Sequence, residues 1–471
     1  MKTFFEKLKN LLNNNLFIFL LFLVIALVIY YPLFKFTFFQ DDFVWLSNTK
    51  DIWAGKVSFN NIFTLKISNF VMPIIYSYFT IAYKIFGLSS FWFYLTNIIL
   101  HTANTFILFK LLKNFFSKNI AITSAIIFLT LRYSIESVSW ISAITVLLTT
   151  LFLLSIGLLW ISFLKTNNKI KYFFILFLTL LLILTKEWSV LLLPFLLILT
   201  ILFQLKQNKK IIEKKHVLHA IPIGIMFLVY ILIEFSIQSK SSVLLDKGFY
   251  VLGWHAVPNI INNIFLTFLP ILNIAHNRPF IWIIASSIFL ISSLVLGFYL
   301  LIKNKNPLVL GIIWMIISFL PTSFFTWNPY VSRYSYIPAI GAVIFIGYGL
   351  KFIKDQQKIK LLQITTILIG VYCVFNIFFT YKTLYNSIET VQKENKYFTQ
   401  ALYKIENKIN KQDDLAIYNK TPHTDFILPE ILHSLINIST EKVHVIKDLQ
   451  ECADYQQCLF WNSDKKEIEL L

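Results

Sequence analysis

The sequence has little charge, little glycine and little cysteine for its size. Only 14% of its 471 residues are charged, whereas soluble domains have about 25%. Hydrophobic residues make up 57%, and the mean hydropathy is +0.68. These values exclude a soluble enzyme, a disordered chain and a fibrous protein, because no soluble core can hide so many apolar side chains. Three cysteines are too few for a disulfide scaffold. A multi-pass membrane protein remains.

The net charge of +18 comes from 42 Lys and Arg against 24 Asp and Glu. In a soluble protein it would indicate nucleic acid, but here we expect it to orient the chain, because cytoplasmic loops carry the excess of Lys and Arg. If every lysine cluster faces the cytoplasm, each interval between clusters must hold an even number of crossings. This rule predicts about eleven spans, with the N-terminus cytoplasmic and the C-terminus extracytoplasmic. The predicted spans are residues 16–34, 91–109, 121–131, 141–164, 172–184, 188–203, 217–233, 280–302, 308–325, 336–350 and 361–380.

Two outer loops contain apolar segments that the even-crossing rule keeps out of the bilayer core. Residues 72–86 are amphipathic and predict an interfacial helix on the outer membrane surface. We expect residues 257–273, which are interrupted by Asn and Pro, at the interface too. The apolar face of the first segment is predicted to hold Ile74, Ile75, Tyr78, Phe79, Ala82, Ile85 and Phe86, and its polar face Tyr76, Ser77, Thr80, Tyr83, Lys84 and Gly87.

The composition becomes polar and mixed in charge after Thr380. We therefore predict an all-α polytopic membrane domain over residues 1–381 and a small extracytoplasmic α/β domain over residues 382–471. The second should contain strands at 414–418 and 442–446, with a helix at 426–436 between them. Cys452 and Cys458 would lie outside the cytoplasm, where disulfides persist, so they could be paired.

An acidic pair, Asp41-Asp42, follows the first predicted span and lies between Phe39 and Phe43. Charges at the ends of spans are unusual and indicate function. Two adjacent carboxylates in a partly apolar setting repel each other and lose hydration, which raises one pKa and makes a better general base. The pair could instead hold a divalent cation, with waters completing the shell. An ordinary solvated pair in a loop is the third interpretation.

Two basic residues are also expected at the outer face. Lys186, with Glu187, lies at the tip of a helical hairpin, where the two could form an ion pair that caps the turn, or Lys186 could face an anionic ligand. Arg333 is surrounded by aromatic residues. Its guanidinium suits bidentate phosphate binding, and snorkelling to lipid headgroups is the alternative.

Polar residues on and near the spans complete the set of candidates. Glu136 and Trp140 are one helical turn apart, as are Asn97 and His101 on the second span. A polar pair within a span usually joins helices by hydrogen bonds. Together the candidates place acids and bases at one outer face, the layout expected for a cavity that binds a phosphate-linked lipid and deprotonates an acceptor.

Six short motifs follow one another over residues 16–380. They are Asp41-Asp42, Phe86-Gly87, Asn97-Ile98-Ile99-Leu100-His101, Glu136-Ser137-Val138-Ser139-Trp140-Ile141, Thr185-Lys186-Glu187 followed by Pro194, and Arg333-Tyr334-Ser335-Tyr336-Ile337-Pro338. In this order they resemble the membrane-embedded glycosyltransferases of the GT-C class, and most the bacterial and tetratricopeptide-bearing O-mannosyltransferase-like branch. The sequence departs from that branch at Leu131-Arg132, which replaces a His-Pro, and in having a short outer domain instead of a tetratricopeptide array.

The resemblance implies an enzyme that moves a sugar from a polyprenyl phosphate to an extracytoplasmic hydroxyl with inversion. Asp41 would take the proton of the acceptor, and Asp42 would orient the acceptor or a metal. Arg333 and Lys186 would stabilise the departing phosphate. The resemblance assigns supporting places to Glu187, Glu136, His101 and Asn97.

The partners implied are the lipid-linked sugar, a protein, lipid or glycan acceptor, and the bilayer of the inner (cytoplasmic) membrane. Nucleic acid is not expected as a partner. No nucleotide is needed, and the 12 glycines form no phosphate-cradling Gly-rich loop. No cofactor is certain, although a divalent cation at Asp41 and Asp42 stays open.

Two other functions stay open at this point. A transporter or flippase of lipid-linked saccharides would keep its charges near the bilayer midplane and often shows inverted repeats or broken helices. A polymerase or ligase of such saccharides would not need the acidic pair after the first span.

Overall fold

Apolar segments form most of the helices. The computed structural model describes residues 14–62, 72–211, 213–238, 248–269, 280–326, 330–418, 421 and 423–471. The lysines predicted to orient the N-terminus, at positions 2, 7 and 9, and the end of the segment 257–273 lie outside these residues. The helices are α1 (Asn15–Tyr30), α2 (Asp42–Trp53), α3 (Pro73–Phe86), α4 (Ser90–Leu112), α5 (Lys118–Thr130), α6 (Glu136–Ser139), α7 (Ile144–Thr166), α8 (Lys169–Ile183), α9 (Leu192–Gln207), α10 (Lys214–Gln238), α11 (Ala256–Phe268), α12 (Phe280–Asn304), α13 (Val309–Ser323), α14 (Ala339–Asp355), α15 (Ile359–Ser387), α16 (Lys393–Ile405) and α17 (Leu428–Ile436).

Each predicted span corresponds to a helix. Within the described residues, seven helical segments are long and apolar enough to cross a membrane, or eight if α5 and the turn after it, bent by 52°, form one span. The other predicted spans lie on shorter helices, α8 and α13 with 15 residues each and α14 with 17. The structure is therefore that of a polytopic membrane protein, and the number of crossings stays a prediction.

Helices α13 and α14, which flank the segment that contains Arg333, pack closely against each other. Gly311 and Gly341 face each other there, and a Cβ atom on either would overlap the backbone of the other helix. Small residues allow two helix backbones to approach in this way. In the same contact, Trp314 Nε1 donates to the carbonyl of Ile337 at 3.1 Å, which anchors the segment after Arg333.

Lysines from several loops meet at one end of the bundle. Lys165 Nζ donates to Asn114 Oδ1 and Lys206 Nζ to the Asn114 carbonyl, each at 2.6 Å. The ends of α4, α7 and α9 are thus together, and the acidic candidates lie at the opposite ends of these helices. The arrangement agrees with the even-crossing rule, while the side of the membrane on which each end lies stays a prediction.

The amphipathic segment of the first loop is helical, as predicted, and its buried face agrees with the predicted one in part, because Ile75, Phe79 and Ala82 are buried. Tyr76 and Thr80 are buried, whereas Ile85 is 67% exposed. The cause is α2, which covers α3 and stacks Trp45 on Phe79 with ring centroids 5.1 Å apart. The buried face of α3 therefore meets protein.

Helix α11 packs into the bundle through its asparagines. Asn259 Nδ2 donates to the Ser323 carbonyl at 2.8 Å, and Asn263 Oδ1 accepts from Tyr133 Oη at 2.7 Å. These residues are buried. These hydrogen bonds hold its polar face inside the protein, and its position at the membrane interface stays a prediction.

A small sheet forms the end of the chain. Its strands are β1 (Leu415–Tyr418), β2 (Val443–Ile446), β3 (Gln457–Asn462) and β4 (Glu467–Leu470). Their order is β2-β1-β3-β4, with β1 parallel to β2 and β3, and β4 antiparallel to β3. The predicted strands and helix are present, and β3 and β4 were missed.

We call residues 388–471 the C-terminal α/β unit. Cys452 and Cys458 form a disulfide in it, a pairing that the sequence alone left open. Helix α15 ends at Ser387 and continues through a π-helical turn, Ile388–Gln392, into α16. The predicted domain limits, 1–381 and 382–471, meet inside α15 and stay a prediction.

A reporter that is active only in the cytoplasm tests the orientation. Fused after Leu471 it should be inactive, because an odd number of crossings separates the C-terminal α/β unit from the cytoplasmic lysines. The matched control is a fusion after Asp355, at the lysine end, which should be active. Activity of the Leu471 fusion would show that the number of crossings is even.

Candidate active site

The carboxylate of Asp42 is completely buried and accepts three hydrogen bonds. Its Oδ1 accepts from the backbone N and the Oγ of Ser142, at 2.8 and 2.5 Å, and its Oδ2 accepts from Phe39 N at 2.9 Å. Burial raises the pKa of Asp42 to about 7, although these bonds oppose the rise. The side chain fastens residues 37–43, which we call the acidic loop, to the turn Ile141–Ala143.

Asp41 precedes α2 and is less buried than Asp42. Burial raises the pKa of its carboxyl, and the charges of Arg333 and Lys186 act against the rise. Both cations are therefore within electrostatic reach of Asp41. The carboxyl of Asp41 and the two cations, which are far apart in the sequence, lie at one end of the bundle.

Arg333 is held between an acid and two aromatic rings. Its Nη1 lies 3.3 Å from Glu136 Oε2, and the guanidinium carbon lies 4.5 Å from the ring centroid of Trp140 and 5.1 Å from that of Tyr334. Glu136 is also fixed through its backbone N, which donates to Ser332 Oγ at 3.2 Å. Glu136 and Trp140 thus both contact Arg333, which gives their spacing a physical reason.

Lys186 lies in the turn between α8 and α9. Its Nζ is 3.8 Å from Glu187 Oε1 and 5.5 Å from the ring centroid of Trp188. An ion pair of this length leaves the ammonium free to donate hydrogen bonds to a further oxygen ligand. Trp188 packs edge-on against Tyr334, with ring centroids 5.7 Å apart, so the Lys186 turn and the Arg333 segment adjoin.

Asn97 and His101 are buried in α4 and join it to other elements. Asn97 Nδ2 donates to the carbonyls of Val138 and Trp140, at 3.2 and 3.1 Å. His101 Nδ1 is 2.7 Å from Tyr336 Oη. The interhelical function expected of this pair is present, and each residue anchors a segment that carries a candidate.

The structure thus brings Asp41, Lys186, Glu136 and Arg333 to one end of the bundle, with Glu187 beside Lys186. Asn97 and His101 lie beneath this group, inside the bundle. Sequence reasoning missed Ser142, the partner of Asp42. No sequence pattern could have identified it, because the two residues are 100 positions apart. A single serine beside an apolar segment gives no signal of its own.

The acidic pair does not fit a divalent cation well. Both oxygens of Asp42 accept hydrogen bonds from Ser142 and Phe39, which leaves Asp41 as the one uncommitted carboxylate of the pair. Among the described residues, no group of three or more His, Cys, Asp or Glu could hold a metal. We therefore assign no step to a metal.

Comparison with known proteins gives a fold. No family model and no curated protein matches the sequence. Among solved structures, the chain is similar to ArnT from Cupriavidus metallidurans, crystallised with bound undecaprenyl phosphate, with a TM-score of 0.54 and 12% identity over 94% of this chain and 93% of that chain. At this identity the similarity shows the fold alone. The resemblance to the O-mannosyltransferase-like branch stays a prediction.

Proposed function

We propose that this protein is an integral-membrane glycosyltransferase that moves a sugar from a polyprenyl-phosphate carrier to an extracytoplasmic hydroxyl, with inversion. One observation carries the proposal. Asp41 lies within electrostatic reach of Arg333 and Lys186, at one end of a bundle whose fold is shared with a protein crystallised with undecaprenyl phosphate. A base and a phosphate-binding pair at one site are what this transfer requires.

Asp41 is the proposed general base. Its raised pKa makes it a stronger base than an ordinary carboxylate, and the two cations oppose the rise in pKa and so favour the charged form. The hydroxyl proton of the acceptor moves to Asp41, and the acceptor oxygen forms a bond to the anomeric carbon. The bond from that carbon to the phosphate oxygen breaks on the opposite face, which inverts the anomeric configuration.

Arg333 and Lys186 are the proposed ligands of the leaving phosphate, which keeps the electron pair of the broken bond. Glu136 and Trp140 fix the guanidinium in place before the donor arrives. Cations that are already oriented stabilise developing charge without a cost of reorganisation. Glu187 forms the corresponding ion pair with Lys186, at the longer distance of 3.8 Å.

Asp42, Asn97 and His101 are the proposed supports of this site. The three hydrogen bonds of Asp42 leave it poorly placed to accept a substrate proton, so we assign it to holding the acidic loop. The sequence motifs favour a mannosyltransferase-like enzyme of the cytoplasmic membrane. Mannose on a polyprenyl phosphate is therefore the first donor to test, with protein, lipid and glycan acceptors.

The variant Asp41→Asn tests the base. It keeps size and polarity but cannot accept a proton, so turnover should fall by about 10²–10⁴-fold while the dependence on donor concentration changes little. The measurement is the initial rate of radiolabelled sugar transfer in purified, folded protein, with the exposed Asp464→Asn as control. Near wild-type turnover of Asp41→Asn would move the base to Glu136. Movement of intact donor across the bilayer without transfer would favour a flippase.

The variant Arg333→Gln tests the cation through pH. Because Arg333 lowers the pKa of Asp41, its removal should raise that pKa, and a base works only when deprotonated. The acidic limb of the pH profile of kcat should therefore shift to higher pH, and the KM for donor should rise. Arg333→Lys should restore the limb more fully than the donor KM, because an ammonium keeps the charge but loses the bidentate geometry. An unchanged limb and donor KM would return Arg333 to the snorkelling interpretation.

A further inference from the structure

The acidic loop is held by the C-terminal α/β unit as well as by the membrane helices. We propose that this unit is part of the catalytic site, and that Asn395 and Gln392 are positioning residues that place Asp41 against the acceptor. The proposal rests on the proposed function, in which Asp41 is the base. It assigns a function to the C-terminal α/β unit.

Two side chains of one helical segment bind the start of the acidic loop. Asn395 is completely buried, and its Nδ2 donates to Thr37 Oγ1 at 2.7 Å and to the Phe38 carbonyl at 2.5 Å. Gln392 Oε1 accepts from Thr37 N and Thr37 Oγ1, at 2.9 and 3.2 Å. The amide of Asn395 therefore acts as a donor and that of Gln392 as an acceptor, and together they fix the backbone a few residues before Asp41.

A second segment of the unit covers the other side of the loop. Thr424 Oγ1 donates to Gln40 Oε1 at 2.9 Å. His423 is buried, and its ring centroid lies 5.9 Å from that of Phe43 and 6.2 Å from that of Phe39. Burial lowers the pKa of His423 to about 4, so it packs as a neutral ring at neutral pH.

The backbone of the loop needs such external support. Gln40, directly before Asp41, has a φ of 50°, a left-handed conformation that costs a non-glycine residue free energy. Conformations of this kind persist where the surroundings impose them. The hydrogen bonds of Asn395, Gln392 and Thr424 on one side, and those of Asp42 on the other, supply these surroundings.

Helix α2, which begins after Asp41, is fastened to the same unit at its far end. Lys50 Nζ donates to the carbonyls of His433 and Ser434, at 3.0 and 2.9 Å. These are carbonyls at the C-terminal end of α17, where a cation is favourable. Asp51 Oδ1 lies 2.9 Å from His433 Nε2. The unit thus contacts the chain both before and after Asp41.

The position of Asp41 therefore depends on both the membrane helices and the C-terminal α/β unit. Arg333 is held by residues of the membrane helices and their loops, although one of these, Trp140, also donates from Nε1 to the Phe39 carbonyl of the acidic loop at 3.4 Å. Glu136, Trp140 and Tyr334, which surround Arg333, all belong to the membrane helices and their loops. Loosening the C-terminal contacts should accordingly displace the base more than the phosphate ligands, because Glu136 and Tyr334 contact Arg333 independently of the acidic loop. A displacement of about 1 Å can cost about 10²-fold in rate.

Polarity-matched variants test the proposal in the full-length protein. Asn395→Asp keeps the size but cannot donate to Phe38, so it should lower kcat by about 10–10²-fold, with the donor KM within about twofold of wild type. Gln392→Glu keeps the acceptor and should retain most of the activity, whereas Gln392→Leu should behave like Asn395→Asp. Gln400→Ala, exposed on the same helix, is the control. Thermal unfolding checks that each variant is folded.

Hydrogen exchange of the peptide that covers residues 37–43 gives a readout without activity. Exchange should be faster in Asn395→Asp and Gln392→Leu than in wild type, and unchanged in Gln392→Glu. Unchanged exchange in the first two variants would overturn the proposal whatever their activity. Faster exchange with wild-type kcat would overturn the link from the loop to the base. If the loop loosens but Asp41→Asn retains its turnover, the proposed function fails and the contact between unit and loop stands.

Discussion

The hydrogen bonds of Asp42 join parts of the chain that are 100 residues apart. A carboxylate without solvent exposure is costly unless its oxygens are bonded, and Ser142 and Phe39 supply those bonds. They fix the acidic loop on the turn before α7, next to Trp140, which contacts Arg333. The place of the proposed base relative to the proposed phosphate ligands depends first on this buried group, and the contacts of the C-terminal α/β unit hold the same loop from its other side.

The two cations of the site, Arg333 and Lys186, have two functions in this account. Arg333 and Lys186 would bind the phosphate, and without substrate they already oppose the rise in the pKa of Asp41 that burial causes. The raised pKa and the two cations have opposite effects on the charged fraction of Asp41 at a given pH. An acid with no cations nearby would be protonated more often, and one with full hydration would be a weaker base. Burial makes the Asp41 carboxylate a stronger base, and the nearby cations favour its ionised form.

Local signals in the sequence were sufficient for the helices and for most of the candidates. Apolar length predicted the helices of the proposed spans, and charge at their ends predicted Asp41, Lys186 and Arg333 as candidates. The partners of these residues were not accessible in this way. Ser142 and Asn395 contact the acidic loop from 100 and 357 positions away, and a polar residue carries no mark of a distant partner. The buried face of α3 was predicted only in part, because α2 also covers Tyr76 and Thr80.

The position of a bound lipid phosphate tests the account most directly. A cryo-electron microscopy structure of the purified protein with undecaprenyl phosphate should show the phosphate within hydrogen-bond distance of Arg333 and Lys186, on the side of the site that Asp41 faces. Phosphate at the lysine end of the bundle instead, for example in the cavity lined by Lys305 and Lys351, with the Arg333 site empty, would contradict it.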